Sequence, residues 1–179
     1  MCDEVQNSLL RLIIVDVAAL VTVYDVASIG LGRLGVMAKP SGGDEALACT
    51  MRALRERGVD TLVSLLEVEE ALRAGLEDEA RHCANAGLAF SSFPIRDLSA
   101  PNLSHARQFL TQLHIEIASG KYVVLHCYAG IGRSGMFATA LLLLAGVELE
   151  QACESVSAKR GKTVPETSVQ CDWLRRFLP

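Results

Sequence analysis

The stretch from Lys121 to Val147 constrains the fold more tightly than any other part of the chain. Lys121-Tyr122-Val123-Val124-Leu125 is a short β-branched and aromatic run that reads as a buried strand. Met136 to Val147 is almost wholly apolar and reads as a buried helix. Between them lies His126-Cys127-Tyr128-Ala129-Gly130-Ile131-Gly132-Arg133-Ser134-Gly135. A strand, a tight glycine-bearing loop and a helix N-terminus form a geometry that binds an anion. Backbone N–H groups point into such a loop, and the helix dipole adds partial positive charge there.

Two side chains separate this loop from a plain phosphate cradle. Cys127 opens it, facing the N–H donors at a helix N-terminus, a setting that favours the nucleophilic thiolate. Arg133 closes it with a planar fork that can hold two phosphoryl oxygens and follow their charge into the transition state. Ser134 adds a hydroxyl able to hydrogen-bond the sulfur and ease its departure. No Gly-Lys-Ser/Thr ends the run, which excludes a Walker-type nucleotide loop. A buried structural cysteine on a glycine-rich turn is the bland alternative, and a sulfur-transferase loop is another.

Such a reaction also needs a proton for the leaving oxygen. Asp97, in the loop from Arg96 to Pro101, is a carboxyl available for that role. Without that context it reads as a turn or cap residue.

Composition narrows the setting. At 179 residues the chain is long enough for one domain with a full core. A net charge of −4 argues against a surface that coats nucleic acid and gives no polybasic membrane signal, so phosphate affinity must be local. Six cysteines (2, 49, 83, 127, 153 and 171) stand without C-x-x-C pairs, which indicates neither zinc nor a disulfide framework. No metal and no cofactor are expected. A reducing cytoplasm suits a reactive thiol. Asp3 and Glu4 precede the apolar N-terminal part, opposite in charge to a secretory signal, and no apolar run reaches spanning length.

In chain order, residues 9–26 are rich in β-branched positions and read as one or two strands, as in a hairpin. Ser28 to Gly43, with its glycines, reads as a loop and turn on the rim of the pocket. Asp44 would cap a helix carrying Leu47, Met51 and Leu54 and ended by Gly58. Val59–Leu66 reads as a core strand. Residues 67–86 read as a charged helix in two pieces around Gly75, a solvated face with no chemistry assigned. A strand over 88–95 and an amphipathic helix over 103–117 precede the cradle. A helix from Leu149 stops at Gly161, and a last one runs from Pro165, at its first turn, to Leu178, with Val169, Trp173 and Phe177 on one stripe. Alternating strands and helices predict a single α/β domain: a mostly parallel sheet of about five strands covered on both faces. Residues 1–43 would supply the N-terminal strands and rim, and 44–179 the catalytic core.

The residues 126–134 match His-Cys-x5-Arg-Ser/Thr, and the chain thereby resembles the cysteine-dependent protein tyrosine phosphatase superfamily, in particular its small dual-specificity and kinase-associated members. The resemblance covers roughly residues 30–178. It implies that Tyr128 to Arg133 bind the phosphoryl group and that Asp97, followed by Pro101, is the general acid. Pro165-Glu166-Thr167-Ser168-Val169-Gln170 resembles the family's Pro-x-Thr-x-x-Gln segment, so Gln170 inherits the placing of the attacking water. His126 would hydrogen-bond the loop backbone and help keep the cysteine ionised. Val63 to Glu67 with Glu69 and Glu70 resembles a strand-and-acid stretch of the bacterial and kinase-associated members.

The implied activity is hydrolysis of phosphotyrosine, with phosphoserine and phosphothreonine as further substrates, through a cysteinyl-phosphate intermediate. The implied partner is a phosphoprotein met by a monomer, with no nucleic acid or membrane. Tyr128, Ala129 and Ile131 stand where phosphoinositide phosphatases of the superfamily usually carry lysines. A phosphoinositide or RNA 5′-phosphatase and a phosphoprotein-binding pseudoenzyme are the alternatives.

Overall fold

A computed structural model of the chain describes residues 21–177. Its five strands are β1 (Tyr24–Ile29), β2 (Gly32–Ala38), β3 (Thr61–Ser64), β4 (Ala89–Ser92) and β5 (Tyr122–Cys127). They form one sheet in the order β1-β2-β5-β3-β4, antiparallel only between β1 and β2. Seven helices lie among the described residues: α1 (Asp44–Glu56), α2 (Val68–Arg73), α3 (Glu79–Asn85), α4 (Leu103–Ala118), α5 (Gly132–Leu144), α6 (Leu149–Arg160) and α7 (Ser168–Phe177).

All six residues of β5 are buried, as a central strand between two parallel neighbours requires. Alternation sends Val123, Leu125 and Cys127 into the core shared with α4, α5, α6 and α7. Tyr122 and Val124 face the opposite core, built by Leu47, Met51 and Leu54 of α1 together with Cys83 of α3. The helix α5 is buried from Gly132 through Leu143, because α4, α6, α7 and the sheet enclose it. The rings of Phe93, Phe109, Phe137, Trp173 and Phe177 run in sequence through this core, neighbouring centroids 4.8–6.4 Å apart.

The α/β architecture is the predicted one, and several local expectations are corrected. The glycine-rich stretch from residue 28 is not a rim loop as far as Ala38. It holds the end of β1, a tight turn and all of β2. Glycine there serves close approach: a Cβ on Gly32 would stand 2.1 Å from the Ile117 carbonyl oxygen. Residues 9–20 of the expected N-terminal strands lie outside the described residues, and β1 begins at Tyr24. Gly43, not Asp44, occupies the N-cap of α1, and the Asp44 carboxylate meets Arg81 at 2.7 Å and His82 at 2.9 Å instead.

The last helix starts at Ser168, so Pro165 is not in its first turn. Its buried stripe is Gln170, Trp173, Leu174 and Phe177, while Val169 is exposed. The two-piece helix around Gly75 is observed as α2 and α3, but its acids are not a plain solvated face, since Glu79 is buried.

Candidate active site

Cys127 ends β5 and Gly132 begins α5, so the loop between them is held at both ends by the most buried elements of the fold. Outside contacts fix its peptide planes. The Lys39 backbone N–H donates to the Tyr128 carbonyl at 3.1 Å. Arg160, at the end of α6, donates from Nη2 to the Ala129 carbonyl at 2.7 Å and from Nε to the Gly130 carbonyl at 2.6 Å. A trans peptide directs its N–H opposite to its C=O. Three carbonyls drawn outward therefore turn the N–H groups of residues 129, 130 and 131 inward, toward a bound anion. Gly130 meets the loop's steric demand, with φ +69° and the Met37 carbonyl carbon and oxygen within 2.4 Å of any Cβ placed there.

The Cys127 sulfur lies 3.4 Å from the Ser134 hydroxyl oxygen. Arg133 is buried, and its fork is matched to a carboxylate on α2: Nη1 donates to Glu70 Oε2 at 2.6 Å and Nη2 to Oε1 at 3.0 Å. Nη1 also donates to the Ile95 carbonyl at 3.0 Å. Burial opposes the guanidinium charge, but the Glu70 hydrogen bonds and the negative charges of Cys127, Glu70 and Asp97 outweigh it and raise the pKa of Arg133. Burial likewise pushes the Glu70 carboxyl up, and its bonds to Arg133 and to the Glu67 backbone bring it below its ordinary value. The arginine is thus a fixed, fully charged clamp.

Asp97 Oδ1 stands 3.1 Å from Arg133 Nη2, with 62% of its side chain exposed, so the carboxyl hangs over the cradle from its solvent side. The loop carrying it is joined to the C-terminal segment at three points. Thr167 Oγ1 donates to the Leu98 carbonyl at 3.3 Å, Gln170 Nε2 to the Ser99 carbonyl at 3.4 Å, and Trp173 Nε1 to the Pro101 carbonyl at 2.8 Å. Leu98 takes φ +56° in that loop, a conformation few side-chain-bearing residues adopt.

Gln170 is buried beside the cradle. Its Nε2 and Oε1 lie 3.1 and 3.4 Å from the position a Cβ on Gly132 would take, and Glu166 Oε2 lies 2.5 Å from the same point. Its Oε1 also accepts from the Glu166 N–H at 3.0 Å. Glu166, which lies just before α7, therefore shares the space over Gly132 with Gln170.

His126 departs from expectation. Alternation along β5 turns its ring to the sheet face opposite Cys127, and neither ring nitrogen finds a hydrogen-bond partner on the loop. Its Nε2 lies 3.1 Å from Glu79 Oε1, within ion-pair reach but off the line of a hydrogen bond.

The cradle residues, Asp97 and Gln170 thus converge as their spacing suggests, whereas Glu70, Glu79, Glu166 and Arg160 join them only through the fold. For Glu70 the sole signal was the resemblance of the stretch after β3. Among the described residues no group of three or more His, Cys, Asp or Glu side chains converges to hold a metal ion. Two hollows of about 830 and 840 Å³ lie between α4 and α7 and between β2 and α1. Neither is lined by Cys127 or Arg133, so neither contains the cradle.

Comparison with known proteins agrees with this geometry. The chain is 31% identical over 93 residues to the pig protein named cyclin-dependent kinase inhibitor 3, a match covering 51% of this chain and 44% of that one. It is 27% identical over 150 residues to the bovine protein tyrosine phosphatase domain-containing protein 1, covering 79% of this chain and 19% of the relative. The chain thus spans less than half the length of these curated relatives.

Among solved structures, kinase associated phosphatase superposes with a TM-score of 0.76 at 19% identity, covering 88% of this chain and 92% of that one. The active form of Tk-PTP superposes with a TM-score of 0.70 at 26% identity, covering 87% and 95%. Residues 35–147 match the family described as "polymorphic toxin system, DSP-PTPase phosphatase". That span is well over half the chain and runs from β2 through the cradle and the whole of α5, which places the protein in the DSP-PTPase family of phosphatases.

Proposed function

We propose that the protein hydrolyses phosphotyrosine in proteins, and phosphoserine and phosphothreonine as well, through a phosphocysteine intermediate. The observation that carries this reading is the convergence of Cys127, the inward amides of its loop and the Glu70-held fork of Arg133 under Asp97. The Cys127 sulfur, as thiolate, attacks phosphorus while the P–O bond to the substrate breaks and Asp97 protonates the departing oxygen. Water then attacks phosphorus, its proton passes to the Asp97 carboxylate, and the electron pair of the P–S bond returns to sulfur, eased by the Ser134 hydroxyl. Gln170, with the Glu166 carboxylate beside it, orients that water.

Asp97 and Tyr128 are both exposed, which supports access for the shorter phosphoserine and phosphothreonine chains as well as phosphotyrosine. The absence of lysine at 128, 129 and 131 favours a phosphoprotein over a polyphosphorylated lipid. A reducing compartment such as the cytoplasm and a monomeric state complete the reading.

Hydrolysis of p-nitrophenyl phosphate in EDTA, followed by a panel of phosphopeptides, a phosphoinositide and a 5′-phosphorylated RNA, tests it. Turnover in EDTA with preference for phosphopeptides is the expected result. Phosphopeptide binding without turnover would make the protein a recognition module instead. Arg160→Ala gives a second test: if Arg160 holds the loop carbonyls outward, losing its charge-assisted bonds should weaken inhibition by inorganic phosphate about tenfold. An unchanged inhibition constant would show that the loop keeps its shape without that arginine.

A further inference from the structure

The nucleophile has a support that its own face of the sheet does not reveal. His126 and Glu79 are both buried, on the side of β5 away from Cys127. Both His126 ring nitrogens and Glu79 Oε1 are shut off from solvent without a well-aligned hydrogen bond, and His126 Nε2 stands 3.1 Å from that Glu79 oxygen. Among the described residues Glu79 forms no other ion pair. The charged groups nearby are engaged elsewhere: Glu70 with Arg133, and His82 with Asp44. Burial and the negative charge of Glu79 push the neighbouring Cys83 thiol up to about 12, so the field of this carboxylate is felt inside the fold. A buried carboxylate and a buried imidazole are costly to keep apart from each other.

We propose that Glu79 is a positioning residue for the nucleophile, acting through His126. Resting on the phosphatase reading above, the argument is geometric. The His126 backbone lies between Met37 of β2 and Ser64 of β3, and its carbonyl accepts from the Leu65 N–H at 2.9 Å. Its ring is the last side chain on the far face before the strand gives way to the cradle. Glu79 pins that ring from α3, and α3 is itself anchored by Leu76 and by Cys83, whose thiol donates to Met51 Sδ at 3.4 Å. Releasing the ring lets the end of β5 shift, and Cys127 shifts with it. The loop amides and Arg133 are held by Arg160, Lys39 and Glu70, so phosphate binding does not pass through this support.

The test separates the two. Glu79→Leu should lower kcat about tenfold, the scale of a sub-ångström misplacement of a reacting group, while the inhibition constant for inorganic phosphate stays within about twofold. Alkylation of Cys127 by iodoacetate should slow in step with kcat. Glu79→Gln keeps an oxygen in place and should recover kcat to within about threefold of wild type. In a His126→Asn background Glu79→Leu should add no further loss, since both act through one ring.

An unchanged kcat, a loss that persists in the His126→Asn background, or a phosphate constant that rises with the loss of kcat would each overturn the proposal. Should Glu79→Leu fail to fold, Glu79→Asp and Glu79→Gln carry the test. Shortening the chain should then cost more kcat than removing the charge, and the reverse order would overturn it. Alkylation reads the sulfur without turnover, so a wild-type protein that hydrolyses nothing would refute the phosphatase reading and still leave the role of Glu79 to be decided.

Discussion

Replacing Cys127 by serine is expected to abolish turnover and leave phosphate bound. A serine hydroxyl is not ionised at neutral pH, and nothing within reach is placed to take its proton: the partner of Sγ, 3.4 Å away, is the Ser134 hydroxyl, itself not a base. The loss in kcat should be on the order of 10⁶-fold, as when other hydrolases lose their nucleophile. The loop amides, the Arg133 fork and its Glu70 partner are untouched by the change, so inorganic phosphate should still protect the variant against thermal unfolding. Measurable steady-state hydrolysis by the purified serine variant would remove Cys127 from the reaction.

Asp97→Ala carries the second large effect. Its carboxyl overhangs Arg133 at 3.1 Å, where the leaving oxygen of a phosphoryl group held by that arginine would emerge. If Asp97 is the general acid, as proposed, its loss should depress kcat by roughly 10²–10⁴-fold for phosphotyrosine. The loss should shrink for aryl phosphates whose leaving phenol is already acidic, because those depart without a proton. The basic limb of the kcat/KM profile, which reports loss of the acid's proton, should flatten in the variant. Phosphopeptides should still bind, making the variant a substrate trap. If the loss is the same for every leaving group and the basic limb stays in place, another residue is the acid.

The parts of this site that were legible in the sequence are those whose chemistry is local. A nucleophile, a run of amides and an arginine must share one loop, so their spacing from Cys127 to Ser134 is fixed by the loop itself. Asp97 and Gln170 are legible only through the resemblance of the loop and segment that carry them. Glu70 and Glu79 are not. They sit in a run whose mixed charges look like any solvated helix, and only the fold sets Glu70 against Arg133 and Glu79 against His126.

Arg160 reads as an ordinary last-turn basic residue of α6, and the contact it makes with the Ala129 and Gly130 carbonyls depends on where α6 ends in space. The strand β2 was missed for the opposite reason. Its glycines look like turn signals, yet Gly32 and Gly35 lie in extended backbone where a Cβ would meet the Ile117 carbonyl at the first and the Val23 side chain, with Tyr122 close behind, at the second. The resemblance implies a His126 ring bonded to the loop backbone, whereas the ring faces Glu79, because a strand residue adjacent to a loop need not face that loop.

The stitching of residues 98, 99 and 101 to Thr167, Gln170 and Trp173 has a bearing on the rhythm of the catalytic cycle. Where a proton donor rides on a lid, each turnover includes a swing, and the swing can set the pace or reject a poor substrate before chemistry starts. Here the loop that carries Asp97 is tied to the C-terminal segment by three hydrogen bonds, and a swing would have to break them. On the proposed reading, selectivity would then fall to the side chains around the mouth more than to an act of closing. An enzyme built this way trades the discrimination of an induced fit for constant readiness.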